Sequence, residues 1–73
     1  MDKYFIRLKV VEDEIYNDEE FLVEFNRRCS ANEFPIVIKI DEAPDITRLT
    51  IDGMKLVDFI IRNQDRGQII VET

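Results

Sequence analysis

The sequence predicts an α+β fold in which one N-terminal amphipathic helix packs on an antiparallel β-sheet. Three observations carry this. Residues 17–32, NDEEFLVEFNRRCSAN, hold a capped helical pattern. Residues 3–11, 35–41 and 46–51 alternate apolar and polar side chains, which is the period of a half-buried strand. Asp52-Gly53 lies between two alternating runs, a strong signal for a two-residue hairpin.

The helix is the clearest element. Asn17 has the side chain of an N-cap, and Glu20 stands where a carboxylate reaches back to complete a capping box. Tyr16 and Phe21 have the spacing of a hydrophobic staple. Asp18, Glu19 and Glu20 suit the positive end of the helix dipole, and Arg27 and Arg28 suit the other end. Phe21, Leu22, Phe25 and Cys29 form one apolar stripe. Glu24 and Arg28 are one turn apart and in register for an ion pair. Asn32 takes the left-handed conformation that closes a helix, and Pro35 follows.

The strands follow by alternation. In residues 3–11, Tyr4, Ile6, Leu8 and Val10 face the helix, and Phe5, Arg7, Lys9 and Val11 face away. Residues 12–20 form an acidic loop running into the helix. In residues 35–41, Ile36, Ile38 and Ile40 point inward, and Val37 and Lys39 point outward. EAPD is a turn built on Pro44 and Asp45. Residues 46–51 form a third strand. The Asp52-Gly53 turn then sets Ile51 against Met54, Thr50 against Lys55 and Leu49 against Leu56.

Residues 54–67 admit two readings. Val57, Phe59, Ile60 and Ile61 favour a strand, which gives the order β-α-β-β-β-β, with QIIVET as the last strand. As a helix, Lys55, Asp58, Arg62 and Asp65 fall on one polar stripe, with Gly67 as C-cap. That gives a ferredoxin-like β-α-β-β-α-β order. The strand reading is preferred, because such a helix would be apolar over most of its girth.

Length and composition bound the function. Seventy-three residues suit one domain, 1–73. No apolar run approaches a membrane span, and the N-terminus lacks the plan of a signal peptide. A cytoplasmic location is the expectation, and lone Cys29 agrees with a reducing compartment. Cys29 reads as a small core residue. There is no His, which removes the commonest general base and metal ligand. Gly53 and Gly67 stand apart, so there is no phosphate-binding loop. Glu12, Asp13, Glu14, Asp18 and Glu19 lack the spacing of a calcium loop. No cofactor or metal is expected, and an enzyme is not expected either.

The charge pattern says more. Formal net charge is −6. Arg7, Lys9, Lys39, Arg48, Lys55 and Arg62, six of the ten basic residues, fall on the outward sheet face. Most acids fall on the helix, the loop before it and the turns. The favoured reading is a non-enzymatic protein-binding module, an inhibitor or regulator of a larger protein that has a basic surface. That target includes nucleic-acid-processing proteins, which small phage-encoded proteins engage by displaying carboxylates at phosphate-like spacing. Its contact residues would be Glu12, Asp13, Glu14, Asp18, Glu19, Glu20 and Glu24. The first alternative is a nucleic-acid-binding sheet face using Phe5, Arg7, Lys9, Lys39 and Arg48. The net charge disfavours it. A homodimer through that partly apolar face is a further expectation. The last alternative is a small structural or accessory subunit of an assembly.

Overall fold

The segment Ile36–Ile40, IVIKI, is apolar at every position except Lys39 and forms the middle strand of the main sheet. A strand apolar on both faces belongs in the interior of a parallel sheet, and this sheet is parallel. The computed structural model describes residues 2–42 and 45–73. Within them the order is β1 (Tyr4–Leu8), β2 (Val10–Val11), β3 (Glu14–Ile15), α1 (Asp18–Ser30), β4 (Ile36–Ile40), a 3₁₀ turn (Ile46–Arg48), β5 (Thr50–Ile51), β6 (Met54–Lys55), α2 (Leu56–Asn63), a second 3₁₀ turn (Gln64–Arg66) and β7 (Ile69–Glu72). The three-stranded sheet runs β1-β4-β7, with β4 parallel to both neighbours. Each parallel step needs a crossover. Helix α1 supplies the first, and the β5–β6 hairpin with α2 supplies the second.

This corrects the expected fold. The sheet is parallel rather than antiparallel, and neither strand order predicted from the sequence describes it. The helix is not N-terminal, since it follows β1, β2 and β3. Residues 54–67 hold a helix where a strand was preferred. The local β-propensity of Val57, Phe59, Ile60 and Ile61 loses to burial, as propensity does when packing opposes it. Leu56, Phe59 and Ile60, at helical spacing, are buried together. Ile60 is therefore inside and Ile61 is 65% exposed, whereas the strand reading turns Ile61 inward with Met54, Leu56, Val57 and Phe59 and leaves Ile60 outside. The polar stripe Lys55, Asp58, Arg62 and Asp65 does face solvent.

Both helices cover one face of the sheet. Phe21 and Phe25 from α1 and Phe59 from α2 form an aromatic cluster, with Phe25 and Phe59 centroids 5.1 Å apart. The cluster packs with Ile6, Leu8, Ile36, Ile38 and Ile40. Cys29 is half-buried against this core, and burial pushes its thiol pKa up. The opposite face carries one in-register row of Phe5, Val37 and Ile70 and another of Arg7, Lys39 and Glu72. Val37, expected to face outward, is fully buried between its row neighbours. Phe5 remains 54% exposed.

The third expected strand is only Thr50–Ile51, because Ile46–Arg48 coil into the 3₁₀ turn. Asp45 caps that turn, its carboxylate accepting from the Thr47 N–H at 3.0 Å and hydroxyl at 2.6 Å. The rest of the EAPD turn, Ala43 and Pro44, lies outside the described residues. The hairpin pairing stands as expected: Ile51 with Met54 and Thr50 with Lys55. The Leu56 N–H then donates to the Leu49 carbonyl at 2.9 Å.

Residues 12–13 are not an open acidic loop. They are the two central residues of a tight β2–β3 hairpin, with φ of 50° at Glu12 and 62° at Asp13. Positive φ at both positions is the type I′ requirement, which Asn-Gly meets without steric cost. Asp52-Gly53 makes the same turn with a residue type suited to it. Replacing Glu12 by Asn together with Asp13 by Gly should therefore stabilise the fold by about 1 kcal/mol. A thermal melt should show a rise of about 4–8 °C.

Candidate functional site

β1 is an edge strand. The Tyr4 N–H donates to the Pro35 carbonyl at 3.0 Å. In a parallel ladder alternate residues bond to one side, so Tyr4, Ile6 and Leu8 face β4, and the backbone groups of Phe5 and Arg7 face the free edge.

Asn17 closes one end of that edge. It occupies the N-cap position of α1, but its side chain makes no cap bond. Instead Oδ1 accepts from the Lys9 N–H at 2.8 Å, and Nδ2 donates to the Arg7 carbonyl at 3.0 Å. One carboxamide thus stands in for one residue of a neighbouring strand. The expected staple is absent too: Tyr16 is 77% exposed while Phe21 is buried in the core. The capping pattern in the sequence located the helix start correctly and misassigned what these side chains do there. Asn17→Ala should cost about 1 kcal/mol, seen in chemical denaturation, and Asn17→Asp should recover part of it by keeping the acceptor.

The end of α1 follows the expected pattern. Asn32 has φ of 57°. Its N–H donates to the Cys29 carbonyl, and the Glu33 N–H donates to that of Arg28, the two bonds of a Schellman motif.

A groove of about 500 Å³ runs between the edge of β1 and α1. Phe5, Ile6 and Arg7 line one wall, and Phe21, Val23, Glu20 and Glu24 line the other, with Lys9, Asn17 and Glu19 at one end. Val23, which the helix pattern gave no role, is 70% exposed on this wall. Its exposure was legible, since it lies off the Phe21–Phe25 stripe.

The expected contact acids divide between two places. Glu19, Glu20 and Glu24 line this groove. Asp18 adjoins Glu19, Glu20 and exposed Tyr16 in a shallower depression beside Lys9. Glu12 and Asp13 sit elsewhere, with Glu42, beside the β2–β3 hairpin, and Glu14 is exposed on β3. Glu24 is engaged: Oε1 is 2.6 Å from Arg27 Nη2 and 3.0 Å from Arg28 Nε. The Arg27 bond chiefly holds its pKa below the usual Glu range. The pairing therefore adds stability above that range and loses it as pH falls through the lowered value. Arg28 also pairs with Glu33 at 3.3 Å and lies over the Tyr4 ring. Among the described residues Glu19 and Glu20 have no ion-pair partner.

The basic set divides as well. Arg7 and Lys39 are neighbours in register on the open face. Arg7 pairs with Asp41 at 3.2 Å, and Glu72 is in register with Lys39. Lys9 follows the end of β1, and Arg48 lies in the 3₁₀ turn. Lys55 and Arg62 belong to β6 and α2, so the six basic residues do not form one face.

Among the described residues no group of three or more Asp, Glu or Cys is arranged to hold a metal ion, and no helix is long and apolar enough to cross a membrane. The chain matches no protein-family model, and it has no significant match among curated proteins or solved structures.

Proposed function

We propose that this chain is a non-enzymatic protein-binding module, an inhibitor or regulator, whose contact surface is the groove between β1 and α1. The observation that carries the reading is the juxtaposition of unpaired Glu19 and Glu20 with exposed Val23 along the groove, next to Phe5, whose exposed side chain stands on the open sheet face beside it. Exposed apolar side chains bordered by unpaired charge suit a protein contact. The acidic rim selects a partner with a basic surface, and long-range attraction speeds the encounter. The nucleic-acid reading has less support, because Asp41 and Glu72 interrupt the basic row.

Retention of a partner from nuclease-treated lysate, followed by kinetics with the purified partner, tests this. Glu19→Lys with Glu20→Lys should lower the association rate at least about tenfold. The stabilising hairpin change, Glu12→Asn with Asp13→Gly, should leave it within about twofold, since those acids lie off the groove. Loss of every partner on nuclease treatment would overturn the reading.

A further inference from the structure

We infer that the groove takes an extended peptide strand of the partner protein, added to the free edge of β1, with apolar and basic side chains turned toward α1. This rests on the protein-binding reading and gives it a mode.

The Phe5 N–H and C=O and the Arg7 N–H point along the sheet plane away from β4. Asn17 already occupies the Arg7 C=O and the Lys9 N–H. An incoming strand thus finds a short ladder centred on Phe5, ended on one side by the Asn17 carboxamide. Strand addition of this kind draws affinity from main-chain bonds and specificity from pockets for alternate side chains.

Helix α1 forms the wall opposite this edge. Alternate residues of an incoming strand would point at α1, about 6.8 Å apart. One turn of α1 rises about 5.4 Å, close enough over a ladder this short for two successive side chains to meet successive turns. Exposed Val23 offers apolar surface there, and Glu19 and Glu20 offer unpaired carboxylates. The matching strand is apolar along the groove and carries Lys or Arg where it passes Glu19 and Glu20.

A second copy of this chain fits less well. Two β1 strands paired antiparallel about Phe5 would set Arg7 opposite Lys3 of the other copy, and like charges directly opposite are destabilising.

A displayed library of random peptides, selected on the full chain, is the first probe. Enriched peptides should alternate, with apolar or basic residues at every second position. The best peptide, made synthetically, is then measured against the chain carrying N-methyl-Phe5, assembled by ligation at Cys29. N-methylation removes the outward donor and leaves the side chain and the β4 ladder intact. Affinity should fall about tenfold or more with an unchanged circular dichroism spectrum. N-methyl-Arg7 is the second variant, should the first fold poorly. No enrichment, enrichment without alternation, or affinity indifferent to both N-methyl groups would overturn strand addition. So would a concentration-dependent dimer that N-methyl-Phe5 dissolves, which would mean that a second copy fills the edge. A lysate partner lost on Glu19→Lys with Glu20→Lys but kept by the N-methylated chains would leave the protein-binding reading standing and remove only its mode.

Discussion

Phe25→Ala should remove about 3–5 kcal/mol of stability. The side chain is fully buried, and its ring lies 5.7 Å from Phe21 and 5.1 Å from Phe59. It is the point where α1 and α2 meet over the sheet, so neither helix can collapse into the gap without leaving the other. A chain of this length has a total stability of about 4–11 kcal/mol by the usual per-residue range. The variant should therefore lose much of its cooperative fold, and its urea midpoint should fall toward zero. Phe5→Ala offers the contrast. Phe5 is half exposed on the open face, and its loss should cost no more than about 1 kcal/mol. Equal losses at the two positions would mean that the helices do not share this face.

Gly67→Ala should be the next most damaging single change. Gly67 has extended backbone, φ 163° and ψ −179°, so its need for glycine is not conformational. A Cβ there would sit inside the van der Waals envelope of the Phe34 ring, and Phe34 is itself packed against the core. The ring must move or the approach to β7 must shift, at about 1–3 kcal/mol for such overpacking. A thermal melt should drop by about 4–8 °C for each kcal/mol. Phe34→Leu in the Gly67→Ala background should return part of the loss. A drop that this second change deepens would place the clash elsewhere.

Only the helical reading of residues 54–67, which was not the preferred one, gave Gly67 the end of a helix, and the contrast shows what local pattern can supply. Helix α1 was legible because its stripe, its charges and its Asn32 terminus are all local signals. The Asp52-Gly53 hairpin was legible for the same reason, down to the pairing of Ile51 with Met54. The alternation of β1 and β4 was legible too. Their relative direction was not, because alternation fixes a face and says nothing about parallel or antiparallel pairing. One signal did bear on it: Ile36, Val37 and Ile38 are consecutive and all buried, as a central parallel strand requires. Asn17 misled because capping and edge-pairing ask for the same side chain, and only the return of the chain past Lys9 decides between them. Of the acids grouped by the charge reading, Glu12, Glu14, Asp18, Glu19 and Glu20 are exposed, and Asp13 and Glu24 are half-buried. That reading grouped acids that the β2–β3 hairpin and α1 hold in separate places.

Amide hydrogen exchange along β1, residue by residue, shows whether this strand has one edge bonded and the other free. Alternation is the expected result. The amides of Tyr4, Ile6 and Leu8 should exchange slowly, bonded to β4, and Lys9 should be slowed by Asn17. Phe5 and Arg7 should exchange near the rate of open backbone. Phe5 and Arg7 amides as slow as that of Ile6 would contradict it, and the groove would then have no free strand edge to offer a partner.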